Sequence, residues 1–195
     1  MFANPRVLAS LPERDYRCGL GEIAKYALMG DDFVSERVDA LVARDPATLA
    51  DVIARCAALK ARCVEADELE RSGRRAVLNY GHTLGHALET ATGHSLQHGE
   101  AVAIGLVFAA HLATALERTP PDLAIRTESL VGALGLPVHA PPGMAAAELL
   151  TIMKRDKKAD GGLTFVLDGP NGIERVDDPD PVAVNKAFAA IGVQI

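Results

Sequence analysis

Tryptophan is absent from this 195-residue chain, and there are only three tyrosines. Against that background a run of imidazoles stands out, and it is taken up below. Cysteine is nearly as scarce. Cys18, Cys56 and Cys63 make an odd count and form no CxxC pair, which speaks against a disulfide framework. The count suits reduced thiols in a cytoplasmic protein, each packing as a small buried hydrophobe. An excess of positive charge is also missing. Twenty basic against 26 acidic side chains leave a net charge of -6, which argues against nucleic acid or an anionic membrane as the main partner. The opening "MFANPRVLASLPERD" has an early proline and no long apolar run, so no signal peptide is expected. The most apolar stretch, "AVAIGLVFAAHLATALE", is interrupted by His111 and slightly short for a span. It reads as a buried core helix and no membrane association is expected. There is no internal repeat and no low-complexity segment. No βαβ alternation appears and no GxGxxG follows a strand, so the chain has no evident dinucleotide-binding unit of its own.

About half of the residues (49%) are hydrophobic, enough to bury a core, and the length suits a single domain. Most of the chain reads as helix, giving a mainly α fold. One helix covers "PERDYRCGLGEIAKYALM" and closes near Gly30; a second covers "DDFVSERVDALVAR". Asp45-Pro46 supplies an N-cap and a first-turn proline. From there "ATLADVIARCAALKARCVEADELE" runs as one long amphipathic helix, broken by "RSGRR". Further helices are predicted from Gly81 to Thr90, from Gly99 to Glu117, over "DLAIRTESLVGAL", over "GMAAAELLTIMKRD" and over 181–191. Only "LTFVL" and "IERV" look like strands; "DGPNG" between them predicts a small β-hairpin near 163–176. Met144 and Met153 read as core.

The stretch "NYGHTLGHALETATGHSLQHGEAVAIG" holds four of the six histidines. His82 and His86 are four apart and share one helix face. His98 lies 16 residues beyond His82, after a turn, where the next helix starts. Two adjacent helices can therefore bring His82 and His98 together. An open metal site needs roughly three protein ligands, and zinc takes imidazole and carboxylate readily. Glu22 in "GLGEIAKY" is a candidate third ligand. By spacing alone Glu22 and Lys25 read as a solvent-facing i, i+3 ion pair. His94 and His111 carry no pattern. The glycines of the stretch are expected to let helix ends approach a small polar ligand.

Several blocks together resemble a known family. "LASLPERDYRCGLGEIAKYALMGD", "KARCVEADELERSGRRAVLNYGHTLGHALE", "HGEAVAIGLVFAAHLA", "MKRDKK" and "LTFVL" are similar to the C-terminal half of 3-dehydroquinate synthases. The resemblance implies the helical, metal-binding C-terminal domain of that fold over 1–195, without the family's N-terminal NAD-binding domain. It implies conversion of 3-deoxy-arabino-heptulosonate 7-phosphate to 3-dehydroquinate and phosphate, a lyase step of the shikimate pathway on the route to aromatic amino acids. The cofactors implied are zinc or cobalt and, in the complete enzyme, NAD, which is not expected to bind this chain alone. The partners implied are a sugar phosphate substrate, an NAD-binding domain in cis or in trans, and a second copy in a homodimer.

Carried over by position, the resemblance makes Glu22, His82 and His98 metal ligands and Lys25 a substrate-binding lysine. Lys60 and Arg75 would meet the substrate carboxylate. Asn79 and His86 would lie near the phosphate, with Lys157 or Lys158. Two departures bear on this. "ERSGRR" is one residue longer than the usual link, which opens the choice between Arg74 and Arg75; the fixed step to Asn79 favours Arg75. "GLGEIAKYALM" stands for a more usual "AEVIKYG", with the glutamate-to-lysine spacing kept. The alternatives are another sugar-phosphate cyclase of the same superfamily and a non-catalytic metal-binding remnant.

Overall fold

The computed structural model describes residues 4–69, 74–156 and 162–195. Their elements run α1 (Glu13–Leu28), α2 (Asp32–Ser35), α3 (Val38–Val42), α4 (Pro46–Ala66), α5 (His82–Ala91), α6 (His98–Ala115), α7 (Asp122–Ala133), α8 (Ala146–Asp156), β1 (Thr164–Gly169), β2 (Gly172–Asp177) and α9 (Pro181–Ala190). Short 3-10 turns cover Pro5–Ser10 and Arg74–Asn79. The fold is mainly α with one two-stranded antiparallel hairpin, in register from Thr164↔Asp177 to Gly169↔Gly172.

The central element is α6. Its residues are apolar on every side, and Ala101 to Ala110 are buried without a break, the pattern of a helix enclosed by its neighbours. By length and composition it could cross a membrane. Here α1, α5, α7, α9 and β1 surround it instead. Phe108 of α6 packs its ring against Phe165 and Phe188, at 5.5 and 4.9 Å between centroids, and Met153 is buried in the same core while Met144 packs at its edge.

Glycines bring two of the crossings unusually close. A Cβ on Gly99 would lie 1.7 Å from the Cys18 carbonyl oxygen, so α6 sits directly on the backbone of α1. A Cβ on Gly105 would lie 1.9 Å from the carbonyl oxygen of Gly81, which itself has φ +78°. These glycines let helices approach one another. That differs from the expectation that they admit a ligand.

Two expectations about elements, and one about the cysteines, are corrected. The predicted helix over 31–44 is two short ones. Arg37 leaves helical backbone at φ -122°, and its guanidinium both donates to Phe33 O at 3.1 Å and lies over the Phe33 ring. The side chain thus takes the carbonyl that a continuing helix would have used. The long helix ends at Ala66, where the buried Asp67 leaves helical backbone at φ -156° and accepts the Arg75 amide at 3.3 Å. The start of α4 is as predicted, with Asp45 accepting from Thr48 N at 2.8 Å ahead of Pro46. The three thiols are free and only partly buried. Cys18 does polar work, its Sγ accepting from Gly99 N at 3.2 Å.

Candidate metal centre and anion cavity

Glu22 stands in the middle of α1, while His82 and His98 are the first residues of α5 and α6. The two close crossings bring these three positions together. Glu22 Oε1 lies 3.1 Å from His82 Nε2 and 3.4 Å from His98 Nε2, and one ligand atom from each residue falls within 4.8 Å of the other two. Ligands at about 2.0–2.1 Å on a tetrahedral zinc sit roughly 3.3 Å apart. The observed spacing brackets that edge.

The ring tautomers follow from what lies behind each imidazole. His82 Nδ1 is 2.9 Å from Tyr80 O, and His98 Nδ1 is 3.1 Å from Glu89 Oε2. A carbonyl and a carboxylate only accept hydrogen bonds, so each Nδ1 carries the proton. In the Nδ1–H tautomer each ring turns the lone pair of Nε2 toward Glu22 Oε1. That oxygen is buried and accepts no hydrogen bond among the described residues. Three lone-pair donors facing one another around an unpartnered buried oxygen fit a divalent cation.

The second oxygen, Glu22 Oε2, accepts from Lys25 Nζ at 2.6 Å, and Lys25 also donates to Leu78 O at 3.0 Å. The i, i+3 pair does form, but it does not face solvent. Lys25 is only 3% exposed. Burial pushes the Glu22 carboxyl up, and the Lys25 ammonium hydrogen-bonded to Oε2 acts against it, leaving the carboxyl below its ordinary range. Glu22 is therefore anionic at neutral pH.

A cavity of about 650 Å³ adjoins the cluster, lined among others by Asn79, Thr83, His86, His94 and Arg155. His86 stacks 6.1 Å from His98 and meets His82 edge-on at 5.5 Å. Of the residues named from the sequence, Glu22, Lys25, His82 and His98 form the cluster, and Asn79 and His86 line the cavity. Neither Arg75 nor Lys60 is among the described residues that line this cavity. Arg75 sits in the turn against α4, its guanidinium 3.5 Å from Glu68 O. Lys60 is exposed on α4, and no described hydrogen bond or ion pair links it to the cluster. Lys157 and Lys158 lie outside the described residues, as does the side chain of Arg74.

Other residues of the site were not foreseen. Glu89 stands seven positions after His82, two turns along the same face of α5, a helical spacing that could have marked it. Arg155, in the last turn of α8, had no such signal, and neither did His94. Arg14 grips Glu100 with two hydrogen bonds of 2.8 and 2.7 Å and donates to Ser95 O at 2.8 Å, tying the start of α6 to α1. Outside the site, His111 pairs with Glu128 at 2.6 Å.

The fold defines a class. It matches a 2-epi-5-epi-valiolone synthase of Streptomyces hygroscopicus with NAD+ and Zn2+ bound, at TM-score 0.79 and 24% identity, over 96% of this chain and 54% of that one. It also matches a 2-deoxy-scyllo-inosose synthase complexed with carbaglucose-6-phosphate, NAD+ and Co2+, at TM-score 0.81 and 23% identity, over 96% and 55%. The chain thus shares the fold of about half of each of these two synthases. Within that class the 3-dehydroquinate synthase C-terminal family model matches residues 19–159, and the chain belongs to that family. A 3-dehydroquinate synthase of Acidithiobacillus ferrooxidans is 45% identical over 173 residues, 86% of this chain and 47% of that protein. One of Geobacter metallireducens is 47% identical over 172 residues, 85% and 47%. One of Xylella fastidiosa is 42% identical over 201 residues, 97% and 51%. The chain spans about half the length of the curated relatives it matches.

Proposed function

We propose that this chain is the metal- and substrate-binding half of a 3-dehydroquinate synthase. It would act on 3-deoxy-arabino-heptulosonate 7-phosphate in the shikimate pathway, yielding 3-dehydroquinate and phosphate. One observation supports this most: Glu22, His82 and His98 surround a single unpartnered carboxylate oxygen at the edge of a cavity bearing Asn79 and His86. Identities of 42–47% to 3-dehydroquinate synthases favour that reaction over those of the cyclases at 23–24%.

A zinc or cobalt ion, when bound, supplies Lewis acidity toward the substrate hydroxyls. The chain's own residues do the rest. Lys25 keeps Glu22 ionised and aims its free oxygen at the two imidazoles. Asn79, His86 and Arg155 present donors to an anionic substrate from the cavity wall, and the planar fork of Arg155 suits a phosphate. Lys60, Arg75 and Lys157 are assigned to the substrate carboxylate and phosphate by family resemblance alone. An NAD-binding half, in cis or in trans, would contribute the hydride acceptor.

Elemental analysis of protein purified without chelator is expected to give about one divalent metal per chain, as a single three-ligand site requires. His82→Ala and His98→Ala should each lose it. Retention of metal at the parent level by both variants would defeat the assignment.

A further inference from the structure

We propose that Glu89 is a positioning residue for His98, holding that imidazole in the one tautomer and orientation that can meet the ion. The inference rests on the metal reading above and deepens it. The two histidines of the cluster are held in different ways. Behind His82 stands a backbone carbonyl, that of Tyr80. Behind His98 stands a side chain from another helix, Glu89 of α5, whose Oε2 accepts from Nδ1 at 3.1 Å.

The need for an anchor differs as well. The His82 side chain is 13% exposed, so packing limits its ring. That of His98 is 44% exposed, at the first residue of its helix. A ring in that position rotates among several rotamers unless something fixes it. Glu89 is only 17% exposed and is itself well placed to do so. Its carboxylate demands a proton on Nδ1, leaves Nε2 as a lone pair toward Glu22, and makes the imidazole a more basic ligand.

His86, Glu89 and His98 also lie close enough to hold an ion as ligands themselves. In that arrangement His98 would turn Nδ1 to the ion and Glu22 Oε1 would stay buried without a partner. With Glu89 behind the ring, both groups are satisfied at once.

The test is zinc affinity of the full chain, measured against a chromophoric chelator, for the parent, Glu89→Gln and Glu89→Ala, with His82→Ala as control. Loss of such an outer carboxylate weakens metal binding by about 10–100-fold, and that range is expected for Glu89→Ala. Glu89→Gln keeps an oxygen acceptor for Nδ1–H and should recover most of the loss. The metal-free proteins should melt together, since the contact orders one ring and not the core. Long-range nitrogen–proton spectra of the metal-free chain should show His98 as the Nδ1–H tautomer in the parent and a mixture in Glu89→Ala. Affinity of Glu89→Ala within twofold of the parent would overturn the proposal. So would loss of binding in both Glu89 variants as complete as in His82→Ala, because Glu89 would then be a ligand. A parent that binds no zinc at all would defeat the metal reading, and the tautomer spectrum would still decide the role of Glu89.

Discussion

Tyr80 has no exposed surface, and its hydroxyl donates to Asp168 Oδ2 on β1 at 2.5 Å. The carbonyl of the same residue accepts from His82 Nδ1. One side chain therefore ties the hairpin to the peptide that orients an imidazole of the site. Holding a carboxylate there has a cost. Burial pushes the Asp168 carboxyl above the ordinary range, with the Tyr80 hydrogen bond only partly opposing it. An acid with a raised folded-state pKa binds its proton more tightly in the folded chain. Its protonation favours the fold at acid pH, and stability is lost as pH rises through the raised value. Asparagine mimics the protonated form without that loss and still offers Tyr80 an oxygen. Asp168→Asn should therefore melt at or above the parent at pH 7, with the gain vanishing as the pH falls into the acid range. Asp168→Ala leaves the buried hydroxyl without an acceptor and should lower stability by about 1–3 kcal/mol. Thermal melts across pH check both. An asparagine variant as unstable as the alanine variant would show that the charge itself is needed.

At the scale of elements, Gly99 separates what patterning could predict from what it could not. The helices α4 to α9 and the hairpin follow from periodicity, caps and turn residues, all of which act within a few positions of the chain. The break after Ser35 was illegible because it depends on the Arg37 side chain taking the Phe33 carbonyl while lying over the Phe33 ring. His82 and His98 could be paired from their spacing, since two adjacent helices can bring them near each other. Glu22 could only be a candidate, because its approach depends on α1 lying directly on α6. The second-rank groups were hidden for the same reason: Arg14 reaches Glu100 across 86 positions. A methyl on Gly99 would collide with the Cys18 carbonyl, a backbone atom that cannot swing aside. Gly99→Ala must push α6 off α1, and overpacking of this kind costs about 1–3 kcal/mol or more. The same movement separates His98 from Glu22. A chemical denaturation curve should show the lost stability, and zinc affinity should fall with it. Loss of stability with unchanged affinity would mean that the metal ligands are set independently of this crossing.

For the whole molecule, the decisive property is that the candidate metal cluster and the cavity beside it both lie on one open wall. The His98 side chain is 44% exposed, and His86, Asn79 and Arg155 are exposed around it. Charges on such a wall act through water. At about 4 Å a pair of unit charges is worth roughly 1 kcal/mol in bulk water and about 4 kcal/mol at the effective dielectric of a protein surface. The same residues would stabilise developing charge several times better beneath a second wall. The proposed reaction also needs a hydride acceptor, and among the described residues there is no strand, glycine loop and helix unit to hold a pyrophosphate. Turnover should therefore require an NAD-binding half. The measurement is phosphate release from heptulosonate 7-phosphate with zinc and NAD present. The 195-residue chain alone is expected to give none above background, and a separately supplied NAD-binding domain of the same family is expected to restore release. Lys25→Ala should abolish the restored activity, since Lys25 holds the Glu22 carboxylate in place by a direct hydrogen bond. Substantial release by the chain alone, lost on Lys25→Ala, would show that the helical half binds NAD and closes its own site.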